Sequence, residues 1–364
     1  MGKSVLIVLM GFLVIFNIIA SNMNKTGTDA EVNLYDSYDR VMAKDIAESG
    51  ANVALSKLVY NSYWRGEKSS ITFAGGSFTA GAVSDTSLGP FGIKVYSYSN
   101  FNGVLDTVFV YLTIESSFPG GVRAGVTANS IVATSGGITI DGRNHDENGN
   151  LIDTTGTYGI STTSTFDPQP NCYVGGTVNS TDYTPLKPDH PSFDPIVIEE
   201  GASWEGGFPD TPDEVMGGED AGYPEGTLKS IAQSGFNGSQ YVIYPPSTPS
   251  FPLSGVTYVE VTLGEWNPPD FTNSSGILVV HNSSKTAVIK NLNTGTFKGL
   301  IIADDVDKIK CEIIGAVVGL TTTPSGNLIG NGNGIIKYSL ALVSQTSTGL
   351  PGVKCDLNIV RWIY

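Results

Sequence analysis

The sequence predicts an α+β protein, predominantly β: a long N-terminal hydrophobic and amphipathic α-helix on an antiparallel sheet, followed by a large Gly-rich β domain. Three observations carry this. Val5 to Phe16 (VLIVLMGFLVIF) is an apolar run broken only by Gly11. Behind it, apolar side chains recur at three- and four-residue steps to about Tyr63. Further on, short β-branched runs are punctuated by Gly, Pro and Asn. With 44 Gly in 364 residues and only 15% charged residues, that part of the chain reads as strands and turns.

The apolar head comes first. Val5 to Ala20 makes a helix of about 24 Å at 1.5 Å per residue, a little short of the ~20 residues that span a bilayer comfortably. Alone, it fits a cleaved secretory signal, a single-pass anchor or an assembly helix equally. Gly27 reads as a helix breaker, and Thr28 with Glu31 has the form of a capping box opening a second helix. Tyr35, Tyr38, Met42, Ile46, Ser49 and Val53 form one stripe of that helix, with Gly50, Ala54 and Leu58 beside it. The expected organisation is therefore a hydrophobic assembly or transmembrane helix over 1–27, a helix-plus-sheet unit over 28–117, and the Gly-rich β domain over 118–364.

The segment Ala43-Lys-Asp-Ile-Ala-Glu-Ser-Gly-Ala-Asn-Val-Ala-Leu55, behind an apolar helix, resembles the N-terminal region of PilX-like and related minor pilins (pseudopilins) of type IV pilus and type II secretion systems. Ala47-Glu48-Ser49-Gly50 is the most specific part of the likeness, which covers roughly residues 1–62. It departs from the major pilins at Val5, where they carry a Glu at the fifth mature position. The resemblance implies insertion in the inner membrane, handling by pilus or type II secretion assembly machinery, and homo-oligomeric packing of N-terminal helices into a helical filament at the cell surface. Val5, Leu6, Leu9, Phe12, Leu13 and Phe16 are the expected polymerisation core.

Four strands are expected between Ser70 and Ser117, with Asn102-Gly103 as a hairpin turn. Ile93, Val95 and Tyr98 opposite Val108, Val110 and Leu112 would give that sheet an apolar face, which the Tyr35–Leu58 stripe would cover. From Val122 onward no helix is expected. Gly276-Ile-Leu-Val-Val, Gly299-Leu-Ile-Ile-Ala and Gly315-Ala-Val-Val-Gly look like successive rungs of a β-helix, with an irregular β-sandwich as the alternative. Residues 183–275, rich in Pro and acids, read as a solvated insertion.

Chemistry-bearing patterns are few. The net charge of −15 excludes nucleic acid as a partner, since nothing here could neutralise phosphates. Three cysteines allow at most one internal bridge, expected between Cys311 and Cys355, with free buried thiols as the alternative. Asp146, Asn148 and Asp153 alternate oxygen ligands around a Gly, as calcium loops do, and an Asx-rich turn would have the same composition. No other cofactor is implied, and no catalytic residues are expected. His145, His190 and His281 lack partnered nucleophile motifs, and Asp304, Asp305 and Asp307 read as an exposed rung corner. The expected function is a structural subunit of an extracellular type IV pilus-like filament with a surface-exposed β head. The alternatives are a minor pilin at a filament tip acting as adhesin or initiator, and a membrane-anchored β-helix enzyme acting on polysaccharide.

Overall fold

The structure is a computed structural model and describes residues 2–60, 64–88, 92–114, 118–134, 136–168, 171–324, 333–348, 350–351, 353 and 357–364, with the side chains of residues 2–7, 60 and 69 left aside. The fold is α+β and predominantly β. The chain divides into two compact units: residues 1–58, 64–113 and 357–364 form the first, and residues 59–63 and 114–356 the second.

In the first unit one helix runs without interruption from Gly2 to Tyr60. The expected break at Gly27 does not occur. A mid-helix Gly costs only about 1 kcal/mol relative to Ala, less than well-formed turns on both sides supply. Nor is Thr28 an N-cap, because its hydroxyl donates to the Asn24 carbonyl one turn back, at 3.0 Å. Thr26 does the same to Asn22 at 2.9 Å. These residues satisfy their side chains on their own helix and do not compete with it.

The last third of the helix lies on an antiparallel sheet of β1 (Gly66–Phe73), β2 (Gly76–Ser84), β3 (Gly92–Phe101) and β4 (Val104–Ile114). The Asn102-Gly103 turn joins β3 and β4 with positive φ at both residues (49° and 88°), as a two-residue hairpin requires. Lateral rows such as Ala82–Val95–Val110 and Ala80–Ser97–Val108 build the buried face. Tyr98 belongs to the opposite face, where it packs with Tyr96 and Phe109. Alternation along β3 places residues 93, 95, 97 and 99 inward, so serines, not Tyr98, complete the row.

The sheet has a fifth strand, one that the sequence assigns to the Gly-rich domain. Leu357–Ile363 lies next to β4, so the chain leaves this sheet after β4 and re-enters it at its end. The expected 118–364 domain therefore loses its last strand to the first unit. Its residues, LNIVRWI, neither alternate nor form a continuous apolar run, so pattern alone could not choose the sheet. Arg361 stacks on the Tyr111 ring of β4 at 4.4 Å.

The second unit is built around a stack of parallel strands. Gln240–Tyr244, Val256–Val261, Ser274–His281, Thr296–Ala303 and Glu312–Gly319 pair successively in parallel. Glu312–Gly319 then pairs with both Ile335–Tyr338 and Ala124–Ala128. Gly276, Gly299 and Gly315 stand in register with positive φ, and a Cβ on either of the last two would run into the backbone carbonyl of the glycine before it. One side of the stack faces an interior of Val126, Ile140, Val259, Leu278, Ile301 and Val317. The other is covered by helix Thr227–Ser234 through Leu228 and Ile231, and by helix Leu340–Ser347 through Val343. Burial on both faces explains why the runs Ile277–Val280 and Leu300–Ala303 are continuously apolar and do not alternate.

The region 183–275 is not a solvated insertion: it supplies two complete rungs, the start of a third and a covering helix. Pro245, Pro246 and Pro252 fall in the turn between two of the rungs. The expected absence of helices is also corrected, since Ser339 caps helix Leu340–Ser347 by accepting from Leu342 N at 3.4 Å.

Helix and sheet approach closely at Gly50, where a Cβ would run into the Ser97 hydroxyl and fall 2.6 Å from the Phe78 ring. Gly50→Val should lower stability by about 1–3 kcal/mol through overpacking, read as a fall in the thermal unfolding midpoint. An unchanged midpoint would show that the helix does not seat there.

Candidate assembly interface

The N-terminal helix has two different surfaces. Ala43, Ile46, Ala47, Gly50, Ala51, Ala54 and Leu58 are buried against the sheet. Ser99 Oγ on β3 donates to the Ala43 carbonyl at 2.6 Å, which ties the upper end of this contact to the helix backbone. Of the expected stripe, only Ile46, Gly50, Ala54 and Leu58 are fully buried. Tyr35, Tyr38 and Val53 are exposed, because the small residues, not the aromatic ones, face the sheet.

Above this contact the helix is bare. Leu9, Phe12, Leu13 and Phe16 are 56, 70, 56 and 72% exposed. Val5 and Leu6 belong to the same helix, and their side chains lie outside the described residues. Sequence reasoning assigned one face to assembly, but Met10, Val14, Ile15, Ile18 and Ile19 are exposed to the same degree, so the apolar surface runs around the whole circumference. A helix apolar on all sides is one that needs cover on all sides.

The stretch from Ser4 to Asn24 carries no charge. With the helix continuous through Gly27, it measures about 31 Å, the thickness of a hydrocarbon core. The helix is long and apolar enough to cross a membrane. Its one strongly polar side chain in the apolar run, Asn17, donates from Nδ2 to the Leu13 carbonyl at 2.9 Å and so hides its amide within the helix. Below, Leu34, Tyr38 and Val41 form a second exposed apolar stripe at four- and three-residue steps.

The remaining candidate residues lie in the second part of the chain. Asp146 Oδ1 accepts from the backbone amides of Asn148 (2.8 Å) and Asn150 (2.9 Å), and Oδ2 from the Asn150 side chain (3.1 Å). This is an Asx turn. Asp153 is exposed and falls in a bend beyond it. No cluster of three His, Cys, Asp or Glu suited to a metal occurs among the described residues. Cys311 is a buried thiol, which burial pushes up to about 12. Cys355, its expected disulfide partner, lies outside the described residues, and Cys172 is buried in the interior of the second unit.

Asp304 and Asp305 are not an exposed corner but are buried. Asp304 holds His281 Nδ1 at 2.6 Å and accepts from the amides of Asn282 and Ala287. Asp307 pairs with Lys290 at 3.2 Å. Sequence reasoning also missed a buried ion pair beside the Asx turn. Arg143 grips Asp141 with Nε–Oδ1 at 2.9 Å and Nη2–Oδ2 at 2.7 Å. His145 lies between the Asp141 carboxylate (Nε2, 3.4 Å) and the Tyr338 carbonyl (Nδ1, 3.1 Å). The acid–x–base spacing of Asp141 and Arg143 was the available signal.

No protein-family model matches this sequence, and no curated protein matches it either. Among solved structures it is similar to the competence-associated pilin ComZ from Thermus thermophilus, at 12% identity over 89% of this chain and 97% of that chain, with a TM-score of 0.25. The assembly surface is therefore read from the geometry of this chain.

Burial works to raise the Asp141 pKa, but hydrogen bonds from His145 and Arg143 and the guanidinium charge outweigh it and hold the carboxyl below the usual range. A depressed folded pKa contributes stability that is present above the unfolded value of about 3.9 and is lost as pH falls through the folded one. Asp141→Asn should therefore destabilise the second unit at pH 7 by about 3 kcal/mol, the cost of leaving a buried cation unpaired, and should flatten the loss of stability below about pH 4. Urea midpoints at pH 7, 5 and 3 check this, and equal stability of the two proteins at pH 7 would contradict it.

Proposed function

We propose that the chain is a structural, non-enzymatic subunit of a type IV pilus-like filament, displayed at the cell surface after insertion in the inner membrane. The observation that carries this reading is the division of labour along one helix. Its last third is buried on a sheet through small residues, while the region from Val8 to Ile19 has large apolar side chains exposed on every side. Such a segment has two stable environments: lipid before assembly, and a bundle of identical segments after it.

Packing against copies sheds apolar surface at about 25 cal/mol per Å². A heterologous contact repeated without closure gives a helical polymer. The second exposed stripe, Leu34, Tyr38 and Val41, extends the interface towards the sheet. The β head of the second unit, carried by the chain between β4 and the last strand, is the part displayed.

The test is the double variant Phe12→Glu, Phe16→Glu in the cell of origin. A carboxylate in an apolar bundle or bilayer costs about 2.5 kcal/mol or more each. The variant should disappear from the sheared surface-filament fraction while the β head keeps its far-ultraviolet circular dichroism. Undiminished incorporation into filaments would overturn the reading.

A further inference from the structure

Two cavities of about 550 and 330 Å³ open in the second unit and meet at Ser275 and Lys298. Each falls in the size range of small-ligand sites. Asn148, Thr272, Asn273 and Thr296 line the first, and Asn237, Gln345 and Thr346 the second. Their polar side chains are hydroxyls and amides throughout, except for Lys298 and Glu312.

Those two charges differ in kind. Glu312 is neutralised inside the protein, by Lys337 at 2.8 Å and the Thr296 hydroxyl at 3.1 Å. Lys298 is half-buried and has no ion pair among the described residues. In the same unit Lys229, Lys285, Lys290 and Lys337 each hold a carboxylate at 2.6 to 3.0 Å. The Lys298 charge helps hold the Glu312 carboxyl low from beyond ion-pair distance, while its own N–H donors stay open at the junction of the two cavities. Asn273 and Ser275, next to it, also have side chains without a partner among the described residues.

The floor is bare for a backbone reason. Gly255 and Gly276 line the second cavity, and a Cβ at Gly276 would collide with the Gly255 carbonyl. The two glycines present no side chain to the second cavity, which exposed Gln345 also lines.

We propose that this groove binds an acidic carbohydrate chain, with a uronate carboxylate on the Lys298 ammonium and the sugar hydroxyls on Asn273, Ser275 and Gln345. A site of neutral donors and acceptors with one free point charge matches a ligand of many hydroxyls and one carboxylate per unit. The inference concerns the β head alone and does not depend on filament assembly.

The full-length chain in detergent micelles, titrated with trigalacturonate by calorimetry, should show saturable binding. The fully methyl-esterified trimer, which keeps the shape and loses the charge, should bind about tenfold more weakly or worse, as loss of one charge-assisted hydrogen bond requires. Lys298→Gln should match that loss with an unchanged unfolding midpoint, Lys298→Arg should retain binding, and Gln345→Ala should weaken acid and ester alike. Equal affinity for acid and ester, undiminished binding by Lys298→Gln, or no saturable binding of trigalacturonate would each overturn the proposal.

Discussion

The structure of the first unit depends on how closely one helix can approach one sheet. Ala43, Ala47, Gly50, Ala51 and Ala54 keep the helix surface thin where it meets Phe78, Ser97 and Ser99, and the Ser99–Ala43 hydrogen bond fixes its height. Seating only the last third of a 59-residue helix leaves the rest projecting without intramolecular cover. Large residues at these positions would hold the helix off the sheet and weaken the anchor from which the apolar end projects. The resemblance segment around Ala47-Glu48-Ser49-Gly50 thus has a physical meaning, since Gly50 is where only a hydrogen fits.

The second unit solves a different problem. A stack of parallel strands must bury both faces, and this one does so with an aromatic and aliphatic interior on one side and two short helices on the other. Phe251, Phe271 and Phe297 contact edge to face along the interior, with ring centroids 5.8 Å apart at each step. Two buried pairs, Asp141–Arg143 and His281–Asp304, hold turns to the stack. Lys298, half-buried where two cavities meet and without a carboxylate at ion-pair distance, reads as a ligand contact.

Much of this was legible from the residues. The apolar head, the long helix, the Asn102-Gly103 hairpin and the Gly276, Gly299 and Gly315 rungs all follow from periodicity or from backbone conformations open to few residues. What escaped were effects of long-range pairing. The return of Leu357–Ile363 to the first sheet cannot be read from a strand's own pattern. Residues 183–275 looked like an insertion because prolines and acids mask the buried runs between them. Gly27 misled because propensity is weak against a helix well formed on either side. The site was half visible: one apolar face was identified, whereas the structure exposes the whole circumference, and the Lys298 groove is assembled from segments up to about two hundred residues apart, a juxtaposition that only folding creates.

The central claim is that residues 8–19 are covered by copies of themselves in the mature assembly. A helical reconstruction of the sheared filaments by electron cryomicroscopy tests it most directly. The account predicts a core of N-terminal helices in which Phe12 and Phe16 contact the same segment of neighbouring subunits. Filaments whose core is built from another protein, with this helix in lipid or absent, would contradict it.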